Sequence, residues 1–237
     1  AKITAYHIGF VLGPCINASG RLDTAARSLA LLNAKTKEEA ARLAGDLTAL
    51  NQSRKALTEK GKEEAIRIIE TTELKNDRVL VVYLPDCHES LAGIIAGRIR
   101  EKYHRPAFVL TGGETSAKGS GRSIESYSMY EELVKCADLM IQFGGHPMAA
   151  GLSIEEKNIE EFRRRLNVNC TLTDEELRPK IVIDVPMPVS YITKELVEQI
   201  SLLEPFGKGN TKPVFAQKNL RVLDHSICLL YTSDAAD

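Results

Sequence analysis

The stretch Gly144-Gly145-His146-Pro147-Met148-Ala149-Ala150-Gly151 sets three glycines, small or sulfur-bearing residues and one histidine side by side. Paired glycines let backbone N–H groups approach a ligand with no side chain in the way, and the histidine adds a donor. A phosphate or another anion suits that chemistry. A tight helix-to-helix turn would use the same residues, with the histidine merely filling space, and the motif alone does not separate the two. A second set lies in Lys118-Gly119-Ser120-Gly121-Arg122-Ser123. Read as a strand, it puts Lys118, Ser120 and Arg122 on one face and Gly119 and Gly121 on the other. Two cations and a hydroxyl form an anion-binding candidate, and the glycine face can be approached closely. A solvated edge strand is the alternative.

Three further residues, Asn17, Arg21 and Arg54, stand where a ligand could reach them. Asn17 and Arg21 are polar residues among small ones in Gly13-Pro14-Cys15-Ile16-Asn17-Ala18-Ser19-Gly20-Arg21-Leu22. Arg54 follows Leu47 by seven residues and so falls on an apolar helical stripe, with Asn51 one step aside. An unpaired buried arginine is costly, so Arg54 should meet a carboxylate, a carbonyl or a phosphate. His88 precedes an apolar helix within Cys87-His88-Glu89-Ser90.

The elements that must position these residues follow from punctuation and period. Glycine and proline make residues 13–22 a turn-rich loop before a short helix, Ala25 to Leu32. Residues 36–72 read as one helix: Thr36 and Glu39 form a capping box, apolar residues recur at helical spacing, and no proline interrupts. It would span roughly 55 Å, enough to bridge two bodies. Residues 74–176 read as an α/β unit. Its strands are 79–84, 106–110 and 118–123, and its helices run from about 89 to Tyr103, from Tyr130 to Met140 and over Glu155 to Leu166. On this reading Gly144–Gly145–His146 is a turn after a helix end. Residues 179–225 change character, with strands at 181–185, 214–216 and 220–223, a helix from Thr193 to Leu203, and a turn at 204–210. They look like the start of a small β-barrel.

Composition bounds the rest. The 237 residues suffice for one large domain or two to three small ones, and 43 % apolar residues supply a core. With 31 basic against 32 acidic residues, any nucleic-acid contact must come from local patches rather than net charge. Five scattered cysteines without a C-x-x-C pair argue against zinc and read as reduced thiols, hence a cytoplasmic setting. No run of about 18 apolar residues predicts a membrane span. The sequence starts within a motif-like stretch without an initiator Met and reads as a fragment. Residues 226–237 continue no pattern and read as a non-native tail.

GPCINASGRL, LNQSR, CHESLAGIIAGRI, SGRS, GGHPMAAG and LEPFGKGN occur here in the order and spacing of the RecJ family of single-stranded-DNA-specific exonucleases, members of the DHH phosphoesterase superfamily. The resemblance covers about residues 3–225. It implies an α/β fold of two α/β domains joined by a long helix and followed by an OB-fold. Residues 1–35 would end the DHH catalytic domain, 36–73 form the connecting helix, 74–176 the DHH-associated domain, and 179–225 part of the OB-fold. It implies 5′-to-3′ hydrolysis of single-stranded DNA in DNA repair and recombination. Two Mn2+ or Mg2+ ions would be held by the catalytic domain, so no metal ligand falls in this chain. Ser120 and Arg122 would hold the 5′ phosphate of the strand. Gly144, Gly145 and His146, the one catalytic assignment, would line the site opposite the metals. Asn17 and Arg21 would contact the entering strand, His88 would precede the first helix of the associated domain, and Arg54 would serve as a further substrate contact. A helicase and a single-strand-binding protein are the partners such an enzyme would have. Cys15 and Cys87 replace a usual basic residue and a usual aromatic, and the first change is expected to weaken one backbone contact. Two other readings remain: a phosphodiesterase of the same superfamily acting on short RNA or cyclic dinucleotides, and a non-catalytic nucleic-acid-binding module. The segment 179–225 argues against the first, and GPCINASGRL with the long helix against the second.

Overall fold

The computed structural model describes residues 3–207 and 209–221. The chain divides into two compact units, Gly13–Pro179 and a second drawn from residues 1–12 and 180–237.

In the larger unit the first helices are α1 (Gly13–Leu22), α2 (Ala26–Asn33) and α3 (Lys37–Thr71). The turn-rich loop expected at 13–22 is therefore a helix. Packing of this segment on α2 and α3 outweighs the poor helix propensity of Gly13, Pro14 and Gly20. The small side chains of the segment serve this packing. Ala18 and Ser19 are buried, Ser19 and Ser28 share a hydroxyl hydrogen bond of 2.7 Å, and the Ser28 hydroxyl also donates to Ile16 O. The long helix is continuous over 35 residues, about 52 Å at the usual rise. Thr36 Oγ1 accepts from Glu39 N–H, and the Glu39 carboxylate accepts from Lys35 N–H. Its buried residues, Leu43, Leu47, Asn51, Thr58, Ala65 and Ile69, form one narrow stripe. The first half of α3 packs on α1 and α2.

The α/β core follows as β1 (Leu80–Leu84), α4 (Glu89–Tyr103), β2 (Ala107–Thr111), β3 (Ala117–Arg122), α5 (Met129–Val134), β4 (Met140–His146), β5 (Ala149–Ile154) and α6 (Ile159–Val168). The sheet runs β1-β2-β3-β5-β4, with β1 and β2 parallel and the other pairs antiparallel. Phe108, Leu110, Met129, Leu133, Phe162 and Leu166 fill one face with α5 and α6. Leu80, Val82 and Val109 meet Leu91, Ile95, Ile99 and Ile69 of α4 and α3 on the other.

Two expectations are corrected here. The helix expected from Tyr130 to Met140 ends at Val134, and a short 3-10 turn, Ala137–Leu139, leads into β4. Gly144–Gly145–His146 is consequently the end of an edge strand in a β-hairpin rather than a helix-to-helix turn. Glycines carry no side chains whose alternation could reveal a strand, and an edge strand needs no second apolar face. The glycines of β3 also do something other than expected. A Cβ at Gly121 would lie 2.5 Å from Met129 Sδ and 2.6 Å from Phe108 Cε1, so the bare face of β3 is filled by the core.

The second unit contains β6 (Val185–Pro186), α7 (Lys194–Ser201) and β7 (Phe215–Ala216), with β6 and β7 parallel. Thr193 caps α7 by accepting from Leu196 N–H. The strand expected at 181–185 shrinks to β6. Asp184 uses its carboxylate to accept from Val214 N–H, ending the ladder, and Ile181 and Val182 are exposed. Leu220 and Arg221 are not in a strand. The turn at 204–210 is tied by Asn210, whose side-chain amide donates to Leu203 O and Pro205 O. Lys208, the rest of the strand expected at 220–223, and the tail 226–237 lie outside the described residues. No helix among the described residues is long and apolar enough to cross a membrane.

Candidate functional site

The register of three strands builds the site. Ser120 of β3, Gly151 of β5 and Gly144 of β4 form one row across the sheet. Arg122, Ala149 and His146 form the row two residues along, and Lys118, Ser153 and Gln142 the row on the other side. Residues paired directly across strands share a face, so Lys118, Ser120, Arg122, Gln142, Gly144, His146 and Ser153 all project to the side on which α4 lies. The apolar contact between α4 and the sheet stops at β2; beyond it this face is polar and open. A cleft of about 610 Å³ lies over it, bounded by Glu89, Ser90 and Ala92 of α4 and by Lys118, Ser120, Gln142, Gly144, Gly151 and Ser153.

Arg122 is half-buried. Its Nη1 donates to Ser120 Oγ at 3.1 Å and to Gly121 O at 2.7 Å. Among the described residues no carboxylate pairs with it, and its Nη2 and Nε have no acceptor. Burial first, and then the charges of Arg21 and Arg100, hold its guanidinium below the usual arginine range. A cation held against burial and two like charges favours an anionic ligand.

His146 is exposed, and its orientation is built in. Its Nδ1 accepts from Met148 N–H at 3.2 Å. The hairpin tip is fixed in turn by Met129 N–H to Pro147 O and Ser123 N–H to Met148 O. With Nδ1 accepting, the proton of the neutral ring sits on Nε2, which is free to donate. Gly144 is open: a Cβ there would meet nothing within 4 Å. Gly145 is different. Its φ is +153°, and a Cβ would come within 2.5 Å of Ala149 O. The hairpin needs that glycine for its backbone; Gly144 leaves the floor of the cleft bare.

His88 and Arg21 meet at the start of α4. His88 is its N-cap, with Nδ1 accepting from Ser90 N–H at 3.2 Å. Arg21 Nη1 donates to Ser90 O at 2.7 Å, which joins α1 to α4 beside the cleft. Asn17 is exposed one turn earlier on α1, on the same helical face as Arg21. The structure does not bring Arg54 to the cleft. It is half-buried on α3, and both Nε and Nη2 donate to Asn51 Oδ1, while Asn51 Nδ2 donates to Cys15 Sγ. Arg54 thus donates to a side-chain amide of its own helix, and that amide in turn reaches Cys15 of α1.

Sequence reasoning missed Gln142, Ser153 and Ser90, which line the cleft. Only the strand register and the packing of α4 bring them there. It also missed Asn167. Its Oδ1 accepts from Arg78 and Val79 N–H, and its Nδ2 donates to Val79 O, which pins the end of α6 to the start of β1.

Among the described residues no group of three or more His, Cys, Asp or Glu is placed to hold a metal ion. The described residues therefore do not fit a two-metal centre.

Residues 76–170 match the DHHA1 domain, and residues 183–229 match the RecJ OB domain. The chain is 37 % identical over 224 residues to the single-stranded-DNA-specific exonuclease RecJ of Salmonella typhimurium, covering 90 % of this chain and 39 % of that protein. It matches the crystal structure of RecJ in complex with Mg2+ from Thermus thermophilus with a TM-score of 0.77 and 29 % identity, over 90 % of this chain and 33 % of that one. The Mn2+ complex of the same protein also gives 0.77 and 29 %, over 90 % of this chain and 32 % of that one. This chain spans less than half the length of each of these relatives. Along nearly all of its own length the chain is similar in sequence and fold to these RecJ exonucleases, and it carries the DHHA1 and RecJ OB matches in that order.

Proposed function

We propose that this chain supplies the strand-gripping part of a single-stranded-DNA-specific exonuclease that works from the 5′ end. The observation that carries the proposal is the row Arg122–Ala149–His146 beside Ser120–Gly151–Gly144, with Arg122 unpaired by any described carboxylate. Arg122 would present Nη2 and Nε as a fork to two oxygens of a 5′-terminal phosphate, the arrangement that makes arginine suited to phosphate. The Ser120 hydroxyl, which accepts from Arg122, keeps its own proton to donate. His146 would donate from Nε2 to a phosphate oxygen, and Gly144 would let the strand lie against the sheet. His88 Nε2, Arg21 and Asn17 would meet the strand at the other side of α4's first turn.

The named activity of the relatives and the Mg2+ and Mn2+ in their structures support a metal-dependent hydrolysis for the protein to which this architecture belongs. Such ions activate water and neutralise the leaving oxygen. The residues here hold and orient the strand. The RecJ OB match, a fold that commonly binds single strands, favours this reading over a phosphodiesterase for dinucleotides.

The test is equilibrium binding of the purified chain to 3′-labelled single-stranded oligonucleotides carrying a 5′ phosphate or a 5′ hydroxyl. A clear preference for the phosphate is expected. Equal affinity for the two would overturn the proposal.

A further inference from the structure

The side chain that α4 lacks at Gly93 is as much part of the cleft as those that line it. Gly93, Gly97 and Arg100 recur at helical spacing on the side of α4 that lies over β3. A Cβ at Gly93 would lie 2.6 Å from Arg122 Nη2 and 2.9 Å from Ser120 Oγ. A Cβ at Gly97 would approach only the Arg122 stem, at 4.0 Å from Cγ. So the guanidinium head and the hydroxyl occupy the volume that any other residue at 93 would fill.

We infer that Gly93 is a positioning residue: its missing side chain sets where the Arg122 guanidinium and the Ser120 hydroxyl sit, and so sets selectivity for a 5′ phosphate. The inference rests on the function proposed above. Contact at 2.6 Å is forbidden, so one group must move. Both groups in the way are mobile, one the far end of a long side chain and the other a rotatable hydroxyl. The backbone of α4, held between α3 and the sheet, is not. Arg122 therefore yields, its Nη1 bonds to Ser120 and Gly121 are lost, and the fork leaves the direction that those bonds set. The helix itself gains, because alanine suits a helix interior better than glycine.

Gly93→Ala and Gly97→Ala separate these effects, since both make the same change on the same helix face. Each variant of the full chain would be melted thermally and titrated with 3′-labelled single strands bearing a 5′ phosphate or a 5′ hydroxyl. Expected are folded proteins in both cases, retention of the wild-type phosphate preference in Gly97→Ala, and a loss of about tenfold or more of that preference in Gly93→Ala. Affinity for the 5′-hydroxyl strand should stay unchanged in both, which a merely structural defect would not produce. A wild-type preference that survives in Gly93→Ala overturns the inference and leaves the proposed function standing. So does unfolding of Gly93→Ala, which would make Gly93 a packing residue. If wild type shows no phosphate preference, both fall.

Discussion

Arg122 and His146 stand in one row of the sheet with only Ala149 between them, so their Cα atoms lie two strand spacings apart, about 10 Å. Both side chains project from the same face of the sheet. Neither side chain is free to choose its direction. Arg122 is tied to Ser120 and Gly121, and His146 is tied to Met148 of its own hairpin.

Replacing Arg122 should weaken binding of the 5′-phosphorylated strand and little else. Arg122→Ala removes charge-assisted hydrogen bonds worth roughly 1.5–3 kcal/mol. That is about a 10- to 150-fold loss of affinity. The loss on a 5′-hydroxyl strand should be much smaller, and the melting temperature should hardly change, because no described carboxylate depends on Arg122. Arg122→Lys should recover only part, since an ammonium has no fork. Equal losses on both strands with a lowered melting temperature would make Arg122 a structural residue.

The two glycines of β4 should behave oppositely. Gly144→Ala has open space and should leave the melting temperature unchanged, so any loss of strand binding reports on the cleft floor. Gly145→Ala drives a Cβ against Ala149 O from a positive φ and should destabilise the hairpin by about 1–3 kcal/mol. Similar melting temperatures for the two variants would contradict the hairpin geometry.

These contrasts also show what could be read in advance. The polar face of β3 was legible because Lys118, Ser120 and Arg122 alternate with glycines. The long helix was legible because Thr36 and Glu39 cap a stripe without proline. The strand through Gly144 and Gly145 was hidden, since a period cannot be read from residues without side chains. The helix at 13–22 was hidden because Gly13, Pro14 and Gly20 are the residue types that usually punctuate loops. Arg54 was placed correctly on its helix, but its bonds to Asn51 of the same helix could not be read from the apolar stripe. Gly93 and Asn167 could not be found at all: each acts on an element distant in sequence.

Asn167 should be a stability residue without a binding phenotype. Asn167→Ala would leave the N–H groups of Arg78 and Val79 and the carbonyl of Val79 without the side-chain partner they have now. Val79 is fully buried, so water cannot replace that partner freely. A loss on the order of 3 kcal/mol is expected by denaturant unfolding. The ratio of affinities for 5′-phosphate and 5′-hydroxyl strands should be unchanged. A loss below about 1 kcal/mol would show that α6 is not pinned to β1 by this side chain.

Acid should act on the outer face of α6. Hydrogen bonds from Arg164 and then Arg165 hold the Glu161 carboxyl at about 2, against an ordinary 4.5. A depressed carboxyl contributes stability that is present above its unfolded value and lost as pH falls through its folded value. The window is therefore from 4.5 down to about 2. The group is exposed, so the contribution is small and weakened by salt. Carbon NMR titration of Glu161 should give a midpoint near 2, and Glu161→Gln should flatten the fall in urea midpoint between about pH 5 and about pH 3. A midpoint at the ordinary value would show that the Arg164 and Arg165 contacts do not persist in solution.

The purified chain, without the remainder that its relatives possess, should bind single strands and fail to cut them. Two-metal hydrolysis needs several carboxylates and imidazoles converging within a few ångströms. Glu89 lines the cleft as an exposed carboxylate at the start of α4, while His88, which spends Nδ1 on capping that helix, and His146, which spends Nδ1 on its hairpin, are not among the lining residues. Each histidine keeps one nitrogen for a phosphate oxygen, and no described trio of ligands converges there. Incubation of 5′-phosphorylated single-stranded DNA with the chain and Mn2+ or Mg2+ should therefore release no nucleotides. A longer protein that includes the metal-binding domain should release them from the 5′ end, and Arg122→Ala in that protein should slow release more on phosphorylated than on hydroxyl ends. Robust, chelator-sensitive degradation by the chain alone would mean that it holds a metal centre, and the division of labour proposed for it would be wrong.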